Sequence, residues 1–217
     1  MIEPTPTAEA VPYPPPKWLL DKFLAGGLLV VLAPCAAVVA GAMGLDMLLS
    51  RRDRGRWLYR EPRISQGRVF EILKFRTLRE DVLARMNAHE PHARLLEADP
   101  ANLTWAARRV IKPWYLDELP QLVNILRGDL SLVGPRPWPI SMVRDQVARG
   151  LDYRLRMRAG WTGPAQVRKT DPASVERLDL EYVERCRNST PWQLVRYDLR
   201  ILRKTLGLVI RGQGLEF

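Results

Sequence analysis

Cysteine is nearly absent: Cys35 lies in an apolar run and Cys186 in a charged one, and the 217-residue chain has no other thiol. Two thiols so placed exclude a disulfide framework and a cysteine-built metal cluster, and they fit a reduced compartment. Histidine is as scarce. His89 and His92 form a His-x-x-His pair without a nearby cysteine or third histidine, which falls short of a zinc site. Acidic residues are in deficit, 24 against 34 lysines and arginines, for a formal net charge of +10. Such a surplus favours partners rich in phosphate, namely nucleic acid, an anionic membrane surface or a phosphorylated substrate. No Lys or Arg precedes Lys17, whereas Glu3 and Glu9 do, so a secretory signal is not expected. No helix-turn-helix, zinc finger or basic stripe with interleaved aromatics is evident, so nucleic acid is not an expected partner.

With 47% hydrophobic and 27% charged residues the composition is that of a folded protein. Residues 1–16 are proline-rich and short of large aliphatics, and read as a solvated tail. Phe23 to Leu45 is an uncharged stretch of about 23 residues, long enough for a bilayer span. Lys17 and Lys22 precede it and Arg51, Arg52, Arg54 and Arg56 follow it. Basic flanks on both sides conflict with a simple span, because cytoplasmic flanks attract Lys and Arg and translocated ones avoid them. Pro34, near the middle, removes a backbone donor and bends a helix. A bent helix that re-enters the same leaflet keeps both flanks against anionic headgroups; a straight span with the tail outside is the alternative. Trp18 and Trp57, at the two ends of this stretch, suit an interfacial belt.

Residues 17–50 are therefore read as a re-entrant membrane helix and residues 51–217 as one compact domain. The fold class is α+β and mostly helical, with short strands and interfacial amphipathic helices. Trp57–Tyr59 and Val69–Phe75 give strand signals, and residues 79–110 read as mostly helical. After Pro191 a last helix carries Val195, Leu199, Leu202, Leu206 and Val209 on one stripe. That stripe reads as core-packing with a solvated basic face, or else as lying along a membrane surface.

The stretch from Leu116 to Pro137 carries the chemistry. Leu119, Leu122, Val123 and Leu126 recur at helical spacing, with Gly128 as a stop. Pro120 belongs in a first helical turn, so Asp117 and Glu118 sit at or just before a helix start. Acidic residues there are often plain caps, stabilising by about 1 kcal/mol. A helix start also attracts phosphate. Gly134-Pro-Arg-Pro137 follows, and prolines on both sides of Arg136 stiffen the backbone and aim a guanidinium that can grip phosphate through two hydrogen bonds. One carboxylate can then attack phosphorus while its neighbour holds a divalent cation. Asp117 and Glu118 would also repel a nucleic-acid backbone. Lys74 and Arg76 point to one side if their segment is a strand. Asp129 reads as a turn residue, and Gln121 and Asn124 as structural.

Four segments together resemble the bacterial sugar transferase family, the monotopic phosphoglycosyl transferases, over about residues 17–212. They are Lys74-Phe-Arg-Thr77, Asp117-Glu-Leu-Pro-Gln121, Gly128-Asp-Leu-Ser-Leu-Val-Gly-Pro-Arg-Pro137 and Arg158-Ala-Gly-Trp-Thr-Gly-Pro-Ala-Gln-Val167. The resemblance implies a ping-pong reaction in which Asp117 attacks the sugar-bearing phosphate of a UDP-sugar, releases UMP and passes the phosphosugar to a polyprenyl phosphate, usually undecaprenyl phosphate. It implies that Glu118 supports Mg²⁺ and the geometry at Asp117, so that Asp117 and Glu118 are the metal residues. Arg136, Lys74, Arg76, Arg158 and Gln166 are its phosphate- and substrate-binding residues. It also implies membrane lipid as a partner and a catalytic domain facing the cytosol at the bacterial inner membrane, and it leaves a homodimer open. The chain departs from the family pattern in Ala33 where Ser is usual, Ala159 where Pro is usual and Pro164 where Trp is usual. The last two leave the nucleotide or sugar choice open and give the competing expectation, a catalytically silent relative serving as a membrane scaffold.

Overall fold

The computed structural model describes residues 9–86, 93–168 and 172–211. In chain order the elements are α1 (Pro15–Val31), α2 (Ala33–Leu49), β1 (Leu58–Ser65), β2 (Arg68–Phe75), α3 (Glu80–Arg85), α4 (Ala93–Glu97), α5 (Gln121–Arg127), β3 (Ser131–Val133), α6 (Ile140–Ala148), α7 (Tyr153–Arg156), β4 (Gly160–Thr162), α8 (Pro164–Arg168), α9 (Pro172–Asn188) and α10 (Pro191–Ile210). Both expected strand segments are strands, and helix dominates. The pair His89/His92 lies outside the described residues.

Helix α1 ends at Val31, and α2 begins at Ala33 after one intervening residue, Leu32, with Pro34 in its first turn. The axes differ by 55°. Proline supplies the break, because its missing N–H costs nothing at a helix start. Among the described residues no single helix is long and apolar enough to cross a membrane, whereas the bent pair together has the length and composition. Phe23 and Leu49 are 81% and 86% exposed. The charge that ends the apolar run, Asp46, is buried, and its carboxylate accepts the Ala106 N–H at 2.7 Å.

The chain forms two compact units, one of residues 1–27, 61–72 and 121–217 and the other of residues 28–60 and 73–120. In the first, β3 and β4 run parallel with Ser131 opposite Gly160 and Val133 opposite Thr162. The approach just beyond β3 needs glycine: a Cβ on Gly160 would meet the Gly134 nitrogen at 2.0 Å. The β1–β2 hairpin turns at Gln66 and Gly67, both with positive φ, as a twist-matched two-residue turn requires. Beyond β3 the loop Gly134–Pro139 is pinned to the hairpin, where Ile64 N–H donates to the Trp138 carbonyl.

A buried polar cluster joins α1, α9, α10 and β3. Lys17 Nζ donates to Asp198 at 2.6 Å, to the Val133 carbonyl at 3.0 Å and to the Tyr182 hydroxyl at 3.2 Å. The Tyr182 hydroxyl donates to Asp198 at 2.7 Å. Burial pushes the Asp198 carboxyl above the usual carboxylate range, against the pull of Lys17. This cluster also corrects the expected face of α10. The buried side is Leu194, Val195, Asp198, Ile201 and Thr205, while Leu199, Leu206 and Val209 remain exposed. Hydrophobic pattern alone misassigns the face because Lys17 and Tyr182 satisfy Asp198, and Thr205 shares a 2.8 Å hydrogen bond with Thr162. The start of the chain departs from expectation as well. The tail is held from Val11, which is buried and donates its N–H to the Arg156 carbonyl at 2.9 Å.

In the second unit, Val39, Ala42 and Met43 of α2 bury against Ala106 and Ile111. A second cluster joins Leu78, Val82, Leu103 and Ala107. The segment expected to be mostly helical is broken into α3, α4, a 3-10 turn at Pro100–Asn102 and a π-helical turn at Ala107–Ile111.

Replacing Lys17 by Met strands Asp198 in a dry site and is expected to cost about 3–5 kcal/mol, with most of it regained in K17M/D198L. Denaturant unfolding of the detergent-solubilised protein measures both. A K17M protein as stable as the parent would contradict the assignment.

Candidate active site

The dyad is reached through two successive 3-10 turns, Lys112–Trp114 and Leu116–Glu118. Tyr115 joins them with φ 54 and ψ 32, the left-handed region. A tyrosine there stores roughly 1–3 kcal/mol of strain, tolerated where the surroundings dictate the turn. Residues five apart do not face each other on a regular helix. The double turn nonetheless brings Lys112 Nζ to 3.6 Å from Asp117 Oδ2. Helix α5 begins at Gln121, directly after Pro120, so the carboxylates stand just ahead of a helix.

Asp117 is 4% exposed. Lys112 also pairs with Glu97 of α4 at 2.6 Å, and Glu97 accepts the Thr77 hydroxyl. Lys74, near the end of β2, pairs with Glu118 at 3.3 Å. An ion-pair chain thus runs from Glu97 through Lys112 to Asp117, and a second pair, Lys74 with Glu118, stands beside it. Burial above all, and then the charge of Glu118, hold the Asp117 carboxyl above the usual carboxylate range, opposed by Lys112 and Lys74. Lys112 faces the buried Asp117 and Lys74 the half-buried Glu118 beside it.

Arg76 is placed differently from Lys74. It is 1% exposed and donates to the carbonyls of Arg56 at 2.7 Å, Leu78 at 2.8 Å and Asp53. Its guanidinium ties loops together on either side of β1 and β2.

The other expected substrate-binding residues, Arg136, Arg158 and Gln166, belong to the first unit. Arg136 stands between the buried Pro135 and Pro137, and its carbonyl accepts from Arg154. Arg154 pairs with the buried Asp179 at 2.6 Å and lies 3.9 Å over the Trp138 ring. The Gly134–Pro139 loop is therefore braced from within. Arg158 lies 4.2 Å over the ring of Tyr13, whose hydroxyl donates to Asp21. Gln166 is fully buried, and neither of its amide atoms has a partner among the described residues. Such an orphaned amide marks a contact point for water or ligand. Asn124 donates to the Glu71 carbonyl and to Asp129, both at 2.9 Å, which assigns Asn124 and Asp129 to the turn after α5.

Lys112, Glu97 and Arg154 are absent from the expectations drawn from sequence. Lys112 stands five residues ahead of Asp117, a spacing with no helical meaning, and Glu97 stands twenty ahead. Among the described residues no group of three or more His, Cys, Asp or Glu side chains could hold a metal ion. Asp117 and Glu118 still fit Mg²⁺, which takes one or two carboxylates and fills its sphere with water and substrate phosphate.

The family model described as bacterial sugar transferase matches residues 14–212. The chain is 37% identical over 180 residues to the undecaprenyl-phosphate galactose phosphotransferase of Salmonella typhimurium, a match that covers 75% of this chain and 35% of that protein. It is 34% identical over 203 residues to the UDP-glucose:undecaprenyl-phosphate glucose-1-phosphate transferase of Caulobacter vibrioides, covering 88% and 68%. To the exopolysaccharide production protein ExoY of Sinorhizobium fredii it is 33% identical over 211 residues, covering 89% and 85%. The chain thus spans about a third of the Salmonella protein and most of the other two.

A carboxyl raised on folding adds stability below its unfolded pKa, and that contribution is lost as pH rises through the folded value. Ionised Asp117 therefore costs stability at neutral pH. Asp117→Asn is expected to melt above the parent at neutral pH, with the gap closing as pH falls through the raised folded value and closed below the ordinary value of 3.8. A gap that is absent, or that widens on acidification, would contradict the electrostatic reading.

Proposed function

The chain belongs to the bacterial sugar transferase family, and from that membership we propose that it transfers a sugar-1-phosphate from a UDP-sugar to a polyprenyl phosphate, with Asp117 as nucleophile. The observation that carries this reading is a buried carboxylate held 3.6 Å from Lys112 and beside Glu118 at the end of a strained double turn. A structural helix cap needs neither the burial nor the flanking lysines. The names of the Salmonella and Caulobacter relatives, both undecaprenyl-phosphate sugar transferases, support the substrate classes.

Asp117 attacks the phosphorus that bears the sugar. Its Oδ–P bond forms as the P–O–P bond breaks, and the electron pair leaves on UMP. Charge balances without a proton transfer: a carboxylate and a doubly charged UDP-sugar give a singly charged acyl phosphodiester and a UMP dianion. Burial desolvates Asp117 and makes its lone pair available, while Lys112 favours the ionised form against the burial that raises the carboxyl. Lys74 holds Glu118 beside it. Asp117 and Glu118 would hold Mg²⁺, which would supply positive charge to the donor phosphate. Arg136 and Arg158 are assigned to phosphate, Gln166 to the nucleotide or sugar, and Arg76 to fixing the loop behind Lys74.

Membrane association fits the same reading. The bent pair α1–α2 has exposed apolar residues through its middle, and the exposed Arg51, Arg52, Arg54 and Arg56 follow it. It is assigned as a re-entrant helix that keeps the catalytic part on the cytosolic side of the bacterial inner membrane.

With purified protein, Mg²⁺, polyprenyl phosphate and a panel of UDP-sugars, one sugar nucleotide is expected to yield UMP in step with lipid-linked product. Chelation of the metal is expected to stop the reaction, and Asp117→Asn to lower kcat by on the order of 10³-fold or more. Release of UDP in place of UMP would overturn the phosphosugar chemistry.

A further inference from the structure

Arg108 and Arg109 take no part in the chemistry described so far. They lie in the π-helical turn Ala107–Ile111, which is closed by the Lys112 N–H donating to the Ala107 carbonyl. Such turns are rare and recur at functional sites. Its wide register serves two cores at once: Ala106 and Ile111 bury against Val39, Ala42 and Met43 of α2, and Ala107 against Leu78 and Leu103. Both arginines are left on the outside. Pro113 has no N–H to continue the turn. The result is a cleft of about 580 Å³ lined by Leu103, Trp105, Arg108, Arg109, Lys112 and Pro113.

Three features give this cleft an occupant. Neither Arg108 nor Arg109 has a side-chain hydrogen bond or ion pair among the described residues. Two adjacent unpaired guanidinium groups call for an anion, and phosphate suits their forked donors. Lys112 belongs both to the cleft and to the catalytic pair, so an anion held there is one side chain away from Asp117. The turn that carries the arginines packs on α2, whose Val38, Leu45, Leu48 and Leu49 are exposed and apolar. A phosphate arriving beside α2 with an apolar chain attached is a lipid phosphate. Trp105, 49% exposed, and Leu103 and Pro113 provide apolar walls for the first carbons of that chain.

We propose that this cleft seats the phosphate of the polyprenyl acceptor, an inference that rests on the transferase reading above. Once Asp117 carries the phosphosugar, its negative charge has moved onto the phosphodiester, and Lys112, held by Glu97 at 2.6 Å, stands between that group and the incoming phosphate. An unprotonated acceptor oxygen then forms the new P–O bond to the phosphosugar phosphorus. The Asp117 Oδ–P bond breaks and its electron pair returns to the carboxylate. A phosphate dianion and an acyl phosphodiester monoanion become a doubly charged lipid diphosphate and a free carboxylate, with no proton moved.

The double variant R108A/R109A alters exposed side chains only and separates the two half-reactions. Exchange of labelled UMP into UDP-sugar without acceptor is expected to match the parent. The KM for polyprenyl phosphate is expected to rise roughly tenfold for one replacement and about a hundredfold for both. A higher KM for UDP-sugar or slower exchange would make the cleft a nucleotide subsite, and unchanged kinetics in both halves would leave it without a role. Either result overturns the proposal. Flotation with phosphatidylcholine vesicles, with and without polyprenyl phosphate, reads binding apart from turnover. The parent is expected to bind more tightly when polyprenyl phosphate is present, and the variant is expected to lose that gain. Equal loss on phosphatidylglycerol vesicles lacking polyprenyl phosphate would reduce the arginines to headgroup anchors and also overturn it. If the parent performs no UMP exchange, the transferase reading fails by itself, and flotation alone decides the cleft.

Discussion

The contact between Lys112 and Asp117 is the interaction on which the site depends. A carboxylate so deeply buried is driven toward protonation, and the neighbouring Glu118 pushes it the same way. Lys112, and then Lys74, oppose that shift. The carboxyl is thus buried and held within 3.6 Å of an ammonium group, the arrangement from which the proposed attack on phosphorus is argued. The backbone has to be strained to make this contact, through the left-handed Tyr115 between two 3-10 turns. Glu97 and Thr77 hold Lys112 from behind, and Lys74 does the same for Glu118.

Much of the local structure was legible in the sequence where one rule governs one residue. Pro34 marks the helix break and Pro120 the start of α5, because proline is tolerated only in a first turn. The strand signals at Trp57–Tyr59 and Val69–Phe75 correspond to β1 and β2. The acidic pair stood out by its place before Pro120. What stayed illegible depends on contacts distant in sequence. Lys112 and Glu97 carry no helical spacing to Asp117, because a π turn and two 3-10 turns intervene. The buried face of α10 contradicts its hydrophobic pattern, because Lys17 and Tyr182 render Asp198 fit for burial. Arg76 reads as one more surface cation until its three carbonyl acceptors are seen.

The surplus of positive charge takes on distinct meanings at different places. Arg76 and Arg154 are buried braces, one bonded to loop carbonyls and the other to Asp179 and the Arg136 carbonyl. Lys112 and Lys74 tune carboxylates. Arg108 and Arg109 are outward-facing and free of partners among the described residues. A net charge of +10 is therefore divided among several local roles.

The most direct test of the central claim is to trap the covalent state. The protein is incubated with Mg²⁺ and its UDP-sugar but no acceptor, then digested and examined by mass spectrometry. One peptide spanning Asp117 is expected to gain the mass of the sugar phosphate and to lose it when polyprenyl phosphate is added. A sugar phosphate attached to any other residue, or product formed at full rate with no adduct at Asp117, would contradict the account.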